Sequence, residues 1–166
     1  MKATIFVVSG EVWAAAQKII LRSDGIGSCV VVAAYDKQRR IGALAHIMLP
    51  GRSLKSGISY NTKYAQDAIE DMLFKMCRLG TAKDCIEACL VGGANVLNDK
   101  NDTICVVVIS SVSKILQEHG IRVVAKALGG TTRRWASLDI EEGKVYYTEG
   151  DSEIKLLYQW GGGEDE

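Results

Sequence analysis

The feature that most constrains this chain is a pair of apolar runs separated by a short polar segment. The first run, residues 29–35, reads Cys-Val-Val-Val-Ala-Ala-Tyr, and the second occupies residues 41–49. The segment between them, residues 36–40, reads Asp-Lys-Gln-Arg-Arg. Two apolar runs of this kind around a short polar turn predict a β-hairpin.

Both strands and helices surround this hairpin. Residues 61–79 place apolar side chains at helical spacing and are followed by Gly80, which predicts a helix. Residues 11–18 are ambiguous. The other predicted elements are strands over 3–9, 19–23, 85–91 and 121–128, a helix over about 110–119, and a hairpin over 135–140 and 144–148. Because strands and helices mix without strict βαβ alternation, we expect an α+β fold with helices packed on a mixed sheet.

The length and composition suit one domain. Of the 166 residues, 48% are hydrophobic and 24% are charged, which is enough apolar material for a buried core. We find no domain boundary and expect a single domain over residues 1–160. Residues 161–166 are glycines followed by acidic residues, and we expect them to form a disordered acidic tail.

The charge balance argues against nucleic acid or an anionic membrane as a partner. Lys and Arg total 20, as do Asp and Glu, so the chain has no global basic field. No apolar run approaches the roughly 20 residues of a membrane span. The apolar run at residues 3–8 is followed almost at once by Glu11 and lacks a cleavage pattern, so we expect a cytoplasmic protein.

The cysteine and histidine content predicts neither a disulfide scaffold nor a zinc site. The five cysteines are an odd number, and no C-x-x-C pair occurs. The two histidines are His46 and His119. A zinc site would need ligands scattered along the chain, which the usual spacing of such sites disfavours.

Cys29 and His46 are the candidate chemical pair. If the first hairpin turns at residues 37–38, facing positions sum to 75, and Cys29 then faces His46. Facing side chains in an antiparallel pair have Cβ atoms about 4.5–5.5 Å apart on one face. A one-residue slip of the turn would place the two side chains on opposite faces, so the inference depends on the register.

This pair suits nucleophilic catalysis. The thiolate is the reactive form of cysteine, so we expect His46 to take the thiol proton, to lower the pKa of Cys29, and to make Cys29 the fastest cysteine to alkylate. Backbone amides around Gly27 and Ser28, after Gly25, could converge on an oxyanion. The competing interpretation is that Cys29 is a small core residue and His46 a satisfied strand residue.

Two other glycine patterns have simpler interpretations. Gly25-x-Gly27 lacks the third glycine of a dinucleotide fingerprint, since Val30 stands at that place and a strand follows, so we reject a nucleotide site. Two predicted strands, 37 residues apart, end in Gly-Gly at positions 92–93 and 129–130. They hint at a repeat without establishing one.

Five motifs occur in order along the chain. They are Gly-Ile-Gly-Ser-Cys-Val at 25–30, Gly-Ala-Leu-Ala-His-Ile-Met-Leu-Pro at 42–50, Lys-Tyr-Ala-Gln-Asp-Ala-Ile at 63–69, Gly-Gly-Ala-Asn at 92–95, and Leu-Gly-Gly-Thr at 128–131. In this order and spacing, over roughly residues 5–148, they resemble the signature of the CheD family, the bacterial chemoreceptor glutamine deamidases.

The resemblance implies a three-layer α/β sandwich with a mixed, mostly antiparallel sheet and flanking helices, related to the cytotoxic-necrotizing-factor deamidase toxins. It implies hydrolysis of particular glutamine side chains on chemoreceptor cytoplasmic domains, without a metal or organic cofactor. Cys29 and His46 match the family's nucleophile and general base. Ser23 stands where the family usually has a threonine as third catalytic member, and Asp24 is an alternative orienting group.

One departure from the family bears on its partners. Where CheD proteins commonly have Ile-Gly-x-x-Asn, residues 104–108 here read Ile-Cys-Val-Val-Val. CheD also binds the CheC phosphatase, so the alternative function is a non-catalytic regulatory module that binds chemoreceptors, CheC or both. Such a module would have no reason to keep a reactive thiol at Cys29 beside His46.

Overall fold

The computed structural model describes residues 1–54 and 61–161. The predicted acidic tail lies outside the described residues from position 162 onward. The strands are β1 (Ala3–Phe6), β2 (Val12–Ala16), β3 (Ile19–Ile26), β4 (Val30–Asp36), β5 (Ile41–Ile47), β6 (Glu87–Gly92), β7 (Arg122–Leu128), β8 (Arg134–Asp139), β9 (Lys144–Tyr147) and β10 (Lys155–Gln159). The helices are α1 (Ala65–Arg78) and α2 (Ile104–Glu118), and a short 3-10 turn spans Lys83–Cys85.

The strands form two five-stranded sheets. The central sheet has the order β2-β5-β4-β6-β7, and the outer sheet has the order β1-β3-β8-β9-β10. Each sheet contains one parallel pair, β6 with β7 in the central sheet and β1 with β3 in the outer sheet. The other pairs are antiparallel. Both sheets are therefore mixed and mostly antiparallel, which is the predicted type, although the sequence predicted one such sheet rather than two.

The central sheet lies between two apolar layers. Alternate residues of β4 and β5, such as Val32 and Ala45, pack in one core with α1 and α2. The intervening residues, such as Val31 and Leu44, pack in a second core with outer-sheet residues that include Leu138. Every residue of β4 and β5 is buried because both faces of the hairpin are covered. The result is an α+β sandwich of helices, central sheet and outer sheet.

The predicted elements are present with three differences. The ambiguous residues 11–18 contain β2, and β10 was not predicted. Helix α2 begins six residues before the predicted start near 110. Among the described residues, no helix is long and apolar enough to cross a membrane.

Candidate active site

The three predicted catalytic residues all face the layer between the two sheets. His46 follows Leu44 on the face of β5 that packs in the second core, whereas Ala45 and Ile47 face the helices. Cys29 lies in the three-residue link between β3 and β4 and packs against that same core. Ser23 of β3 is 1% exposed and donates a hydrogen bond to Val7, which belongs to the same core.

The register of the hairpin differs from the predicted one. The turn comprises four residues, 37–40, because Asp36 pairs with Ile41, and His46 therefore faces Val31 rather than Cys29. The offset is two positions, so Cys29 stays on the same face as His46, displaced along the strand direction. The prediction of direct opposition was wrong, while the shared face was right because the side-chain period of a strand is two.

His46 is a buried imidazole without hydrogen-bond partners. The residue is 2% exposed, and neither Nδ1 nor Nε2 has a partner within the described part of the chain. Burial lowers the pKa of His46, and the nearby Val7 carbonyl partly opposes that shift. Buried polar groups are normally hydrogen-bonded, so this imidazole is an exception, with two unpaired ring nitrogens and the Val7 carbonyl nearby.

The main chain of β5 holds His46 in place. The His46 amide donates to the Glu11 carbonyl oxygen at 3.0 Å, and the His46 carbonyl accepts from the Gly10 amide at 2.8 Å. The backbone is thus fixed on both sides of the residue, while the ring remains unpaired. Such an arrangement orients an imidazole without occupying its nitrogens.

The Cys29 thiol is half-buried, and burial raises its pKa above the ordinary value. The backbone amide of Cys29 itself opposes this shift. The prediction of a lowered thiol pKa is therefore wrong for this structure, because burial dominates the shift and His46 makes no hydrogen bond to the thiol. Cys77 is exposed, so Cys29 is not expected to be the first cysteine to alkylate.

The opposite shifts of the two groups favour their neutral forms. Burial disfavours the thiolate of Cys29 and the imidazolium of His46 for the same electrostatic reason. A neutral imidazole on the same face as a neutral thiol is suited to act as a general base during attack, rather than to hold a preformed ion pair.

Ser23 and Asp24 are placed differently. The Ser23 hydroxyl donates to the Val7 carbonyl oxygen at 2.6 Å, and this same carbonyl affects the pKa of His46. Asp24 is exposed and forms an ion pair with Arg22 at 2.7 Å. Ser23 thus reaches the neighbourhood of His46 through Val7, while Asp24 is engaged at the surface.

The link before β4 presents unpaired amides. Within the described ranges, the amides of Ser28 and Cys29 donate no hydrogen bond to another residue, whereas the Gly27 and Cys29 carbonyls accept from Ala94 at 2.9 Å and Gly93 at 2.8 Å. The two carbonyls are held by hydrogen bonds, and the two amides remain available for an oxyanion, as an oxyanion-binding site requires. Only the structure assigns residues 92–94 to this site. The Gly-Gly pair in the sequence indicated an unusual backbone conformation but not its contact with the Cys29 link.

The altered segment 104–108 forms the first turn of α2. Cys105 and Val108 are buried, while Val106 and Val107 are 63% and 44% exposed. The apolar replacements at positions 105 and 108 therefore add to the core. The segment contacts none of the three predicted catalytic residues through a hydrogen bond.

Comparison with known proteins gives a consistent result. A family model described as "CheD chemotactic sensory transduction" matches residues 48–149. The Archaeoglobus fulgidus protein named "Probable chemoreceptor glutamine deamidase CheD" is 35% identical over 168 residues, covering 98% of each chain.

Two further relatives carry similar names. The "Probable chemoreceptor glutamine deamidase CheD" of Chlorobium luteolum is 32% identical, over 94% of this chain and 78% of that one. The "Chemoreceptor glutamine deamidase CheD" of Thermotoga maritima is 33% identical, over 84% of this chain and 82% of that one. These matches extend over most of the sandwich just described, and we conclude that the chain belongs to the CheD family.

Proposed function

We propose that this chain is a cytoplasmic protein-glutamine deamidase that converts specific glutamines of chemoreceptors to glutamate in chemotaxis adaptation. The single observation that carries the proposal is the buried His46 ring with two unpartnered nitrogens on the same face as the Cys29 thiol. The relatives' names supply the reaction and substrate class. The Cys29 thiol and the His46 imidazole suit the chemistry of a two-step deamidation.

The first half-reaction forms a thioester. His46 accepts the proton of the Cys29 thiol while the sulfur attacks the carbonyl carbon of the glutamine amide. The carbonyl oxygen becomes an oxyanion, and the amides of Ser28 and Cys29 are free to bind it. The imidazolium then protonates the departing nitrogen, the C–N bond breaks, and ammonia leaves.

The second half-reaction consumes one water molecule. His46, neutral again, removes a proton from water as its oxygen attacks the thioester carbon. The C–S bond breaks, the sulfur regains the proton from His46, and the product carries a glutamate side chain. Each cycle therefore converts glutamine and water to glutamate and ammonia, and it restores both protein groups.

Ser23 is assigned a positioning role in this scheme. Its hydroxyl holds the Val7 carbonyl, which lies beside the His46 ring. A fixed carbonyl dipole near the ring favours the imidazolium that forms during each half-reaction. We assign no catalytic role to Asp24, because its carboxylate is exposed and engaged by Arg22.

The proposal is tested with purified protein and cytoplasmic fragments of chemoreceptors from the same organism. We expect ammonia release and a mass increase of about one dalton in particular glutamine-containing peptides. Cys29→Ala should abolish both signals, whereas the matched control Cys77→Ala should leave them unchanged. Wild-type protein that binds receptor or CheC but alters no glutamine would contradict the proposal and support the non-catalytic binding module.

A further inference from the structure

The side chain of Arg134 is buried at the end of the outer sheet, beside the candidate active site. Arg134 is 5% exposed, and its Nη1 donates to the Gly129 carbonyl at 2.9 Å and the Gly92 carbonyl at 3.3 Å. Its Nη2 lies 3.4 Å from a carboxylate oxygen of Glu149, which is largely at the surface. Burying a guanidinium is costly unless its contacts compensate, so this position requires a physical reason.

The two carbonyls belong to the two Gly-Gly turns. Strands β6 and β7 are parallel neighbours, so the turns at 92–93 and 129–130 lie side by side, joined by a 3.0 Å bond from the Gly129 amide to the Gly92 carbonyl. The repeated strand-Gly-Gly pattern in the sequence therefore corresponds to one joint structure rather than to a repeat. Arg134 binds both halves of that structure.

One of these turns holds the nucleophile. The Gly93 amide donates to the Cys29 carbonyl, and the Ala94 amide donates to the Gly27 carbonyl. A side chain at Gly92 would overlap the Cys29 carbonyl oxygen, which shows how closely the turn approaches the link. The orientation of the Cys29 thiol and amide is thus coupled to the 92–93 turn, and that turn is coupled to Arg134.

We propose that Arg134 is a positioning residue that holds the Gly92–Gly93 turn and, through it, fixes the Cys29 link in its reactive orientation. This inference rests on the proposed deamidase function for its catalytic consequence. The structural part of the inference, that Arg134 fixes the orientation of the Cys29 link, does not depend on that function. A planar guanidinium suits the task because its fixed donors can bind two neighbouring carbonyls at once.

The experiment compares Arg134→Met with Glu149→Gln. Methionine removes both carbonyl contacts, while the glutamine variant removes only the charge of the ion-pair partner and leaves the two carbonyl bonds. For Arg134→Met we expect kcat to fall by about 10- to 100-fold, because a small displacement of a reacting group has that effect. We expect little change in KM, and near wild-type kinetics for Glu149→Gln.

Cysteine alkylation provides a readout that general destabilisation does not reproduce. A loosened link should expose Cys29, so its iodoacetamide modification should speed up severalfold relative to the exposed Cys77 in the same molecule. Cys89 is 0% exposed between the sheets and should stay protected. Faster labelling of Cys29 with a protected Cys89 identifies a local change.

Three results would overturn the inference. They are an unchanged kcat in folded Arg134→Met, an equal loss in Glu149→Gln, and a joint rise of Cys29 and Cys89 labelling. If Arg134→Met does not fold, Arg134→Lys is judged by the same criteria, since the lysine side chain is one atom shorter than the path to Nη1 and does not place its ammonium at the Nη1 position. If wild-type protein deamidates nothing, the proposed function fails, while the labelling comparison still decides whether Arg134 positions Cys29.

Discussion

The Ser23 hydroxyl donates a hydrogen bond of 2.6 Å to the Val7 carbonyl oxygen, and this carbonyl is the group that opposes burial in setting the pKa of His46. Ser23 and His46 are therefore related through one backbone group, which is the basis of the positioning role proposed for Ser23. The contact with Val7 uses the hydroxyl of Ser23, a group that serine and threonine share.

Two substitutions of Ser23 should show whether its hydroxyl group contributes to the deamidation rate. Ser23→Ala leaves the Val7 carbonyl free to move, and we expect the deamidation rate to fall about tenfold rather than to vanish, because Cys29 and His46 remain. Ser23→Thr keeps the hydroxyl and should stay close to wild type. Steady-state kinetics on a receptor fragment check this, and a full-rate alanine variant would remove Ser23 from the mechanism.

Replacing His46 by leucine should stabilise the protein while inactivating it. The imidazole is 2% exposed with two unpartnered nitrogens, so an apolar residue removes a desolvation cost of about 1–3 kcal/mol. Activity should fall by about 10²- to 10⁴-fold with the loss of the general base. His119→Leu is the matched control, since that ring contacts Lys83 at the surface and should change stability by about 0.5 kcal/mol or less. Denaturant unfolding that shows His46→Leu to be destabilised would contradict this account.

The pH dependence of kcat/KM should reflect the lowered pKa of His46. The base must be neutral to accept the thiol proton, and burial lowers the pKa of His46 below its ordinary value of 6.5, so the base is already neutral at that pH. We expect the acid limb to have its midpoint below pH 6.5. The same shift makes the stability contribution of the neutral ring fall as pH drops below 6.5 toward the folded-state pKa. An acid limb centred above pH 7 would exclude His46 as the base described here.

Gly92→Ala should destabilise the protein more than the same substitution at another glycine with a positive φ. Gly92 has a φ of 126° and a close approach to the Cys29 carbonyl, while Gly120, after α2, has a φ of 73° and open space. Both alanine variants pay about 1–2 kcal/mol for the left-handed backbone. Only Gly92→Ala adds an overlap of about 1–3 kcal/mol and displaces the nucleophile link. Equal melting temperatures and equal activities for the two variants would show that the 92–93 turn does not constrain Cys29.

Local patterns predicted most of the elements, and the exceptions have physical causes. Strand β2 contains Trp13 followed by three alanines. Tryptophan favours strands, whereas alanine is the best helix former, so the residue propensities of this segment conflict. The third to fifth residues of helix α2 are valines, at 106–108, whose β-branched side chains favour strands, and packing against the core overrides that preference. Strand β10 is half-exposed at a sheet edge and lacks a strong apolar signal.

The shared face of Cys29 and His46 was predictable from the sequence, whereas the register that relates them was not. A two-residue turn and a four-residue turn in the first hairpin both keep Cys29 and His46 on one face, so parity alone could not distinguish them. The raised pKa of Cys29 depends on its burial against the core between the two sheets, which no local sequence pattern predicts. Arg134 stands more than a hundred positions from Cys29 in the sequence, so only the packed fold relates them.

The central claim is that Cys29 forms a thioester with the substrate glutamine, and mass spectrometry of an acid-quenched reaction tests it most directly. The protein is mixed with a receptor fragment for less than one turnover, and its Cys29 peptide is examined after digestion. We expect the Cys29 peptide to carry the substrate peptide with a loss of about 17 Da, the mass of ammonia, and we expect His46→Leu to lack this adduct. Deamidation that proceeds in Cys29→Ala, with no adduct on wild-type Cys29, would contradict the account.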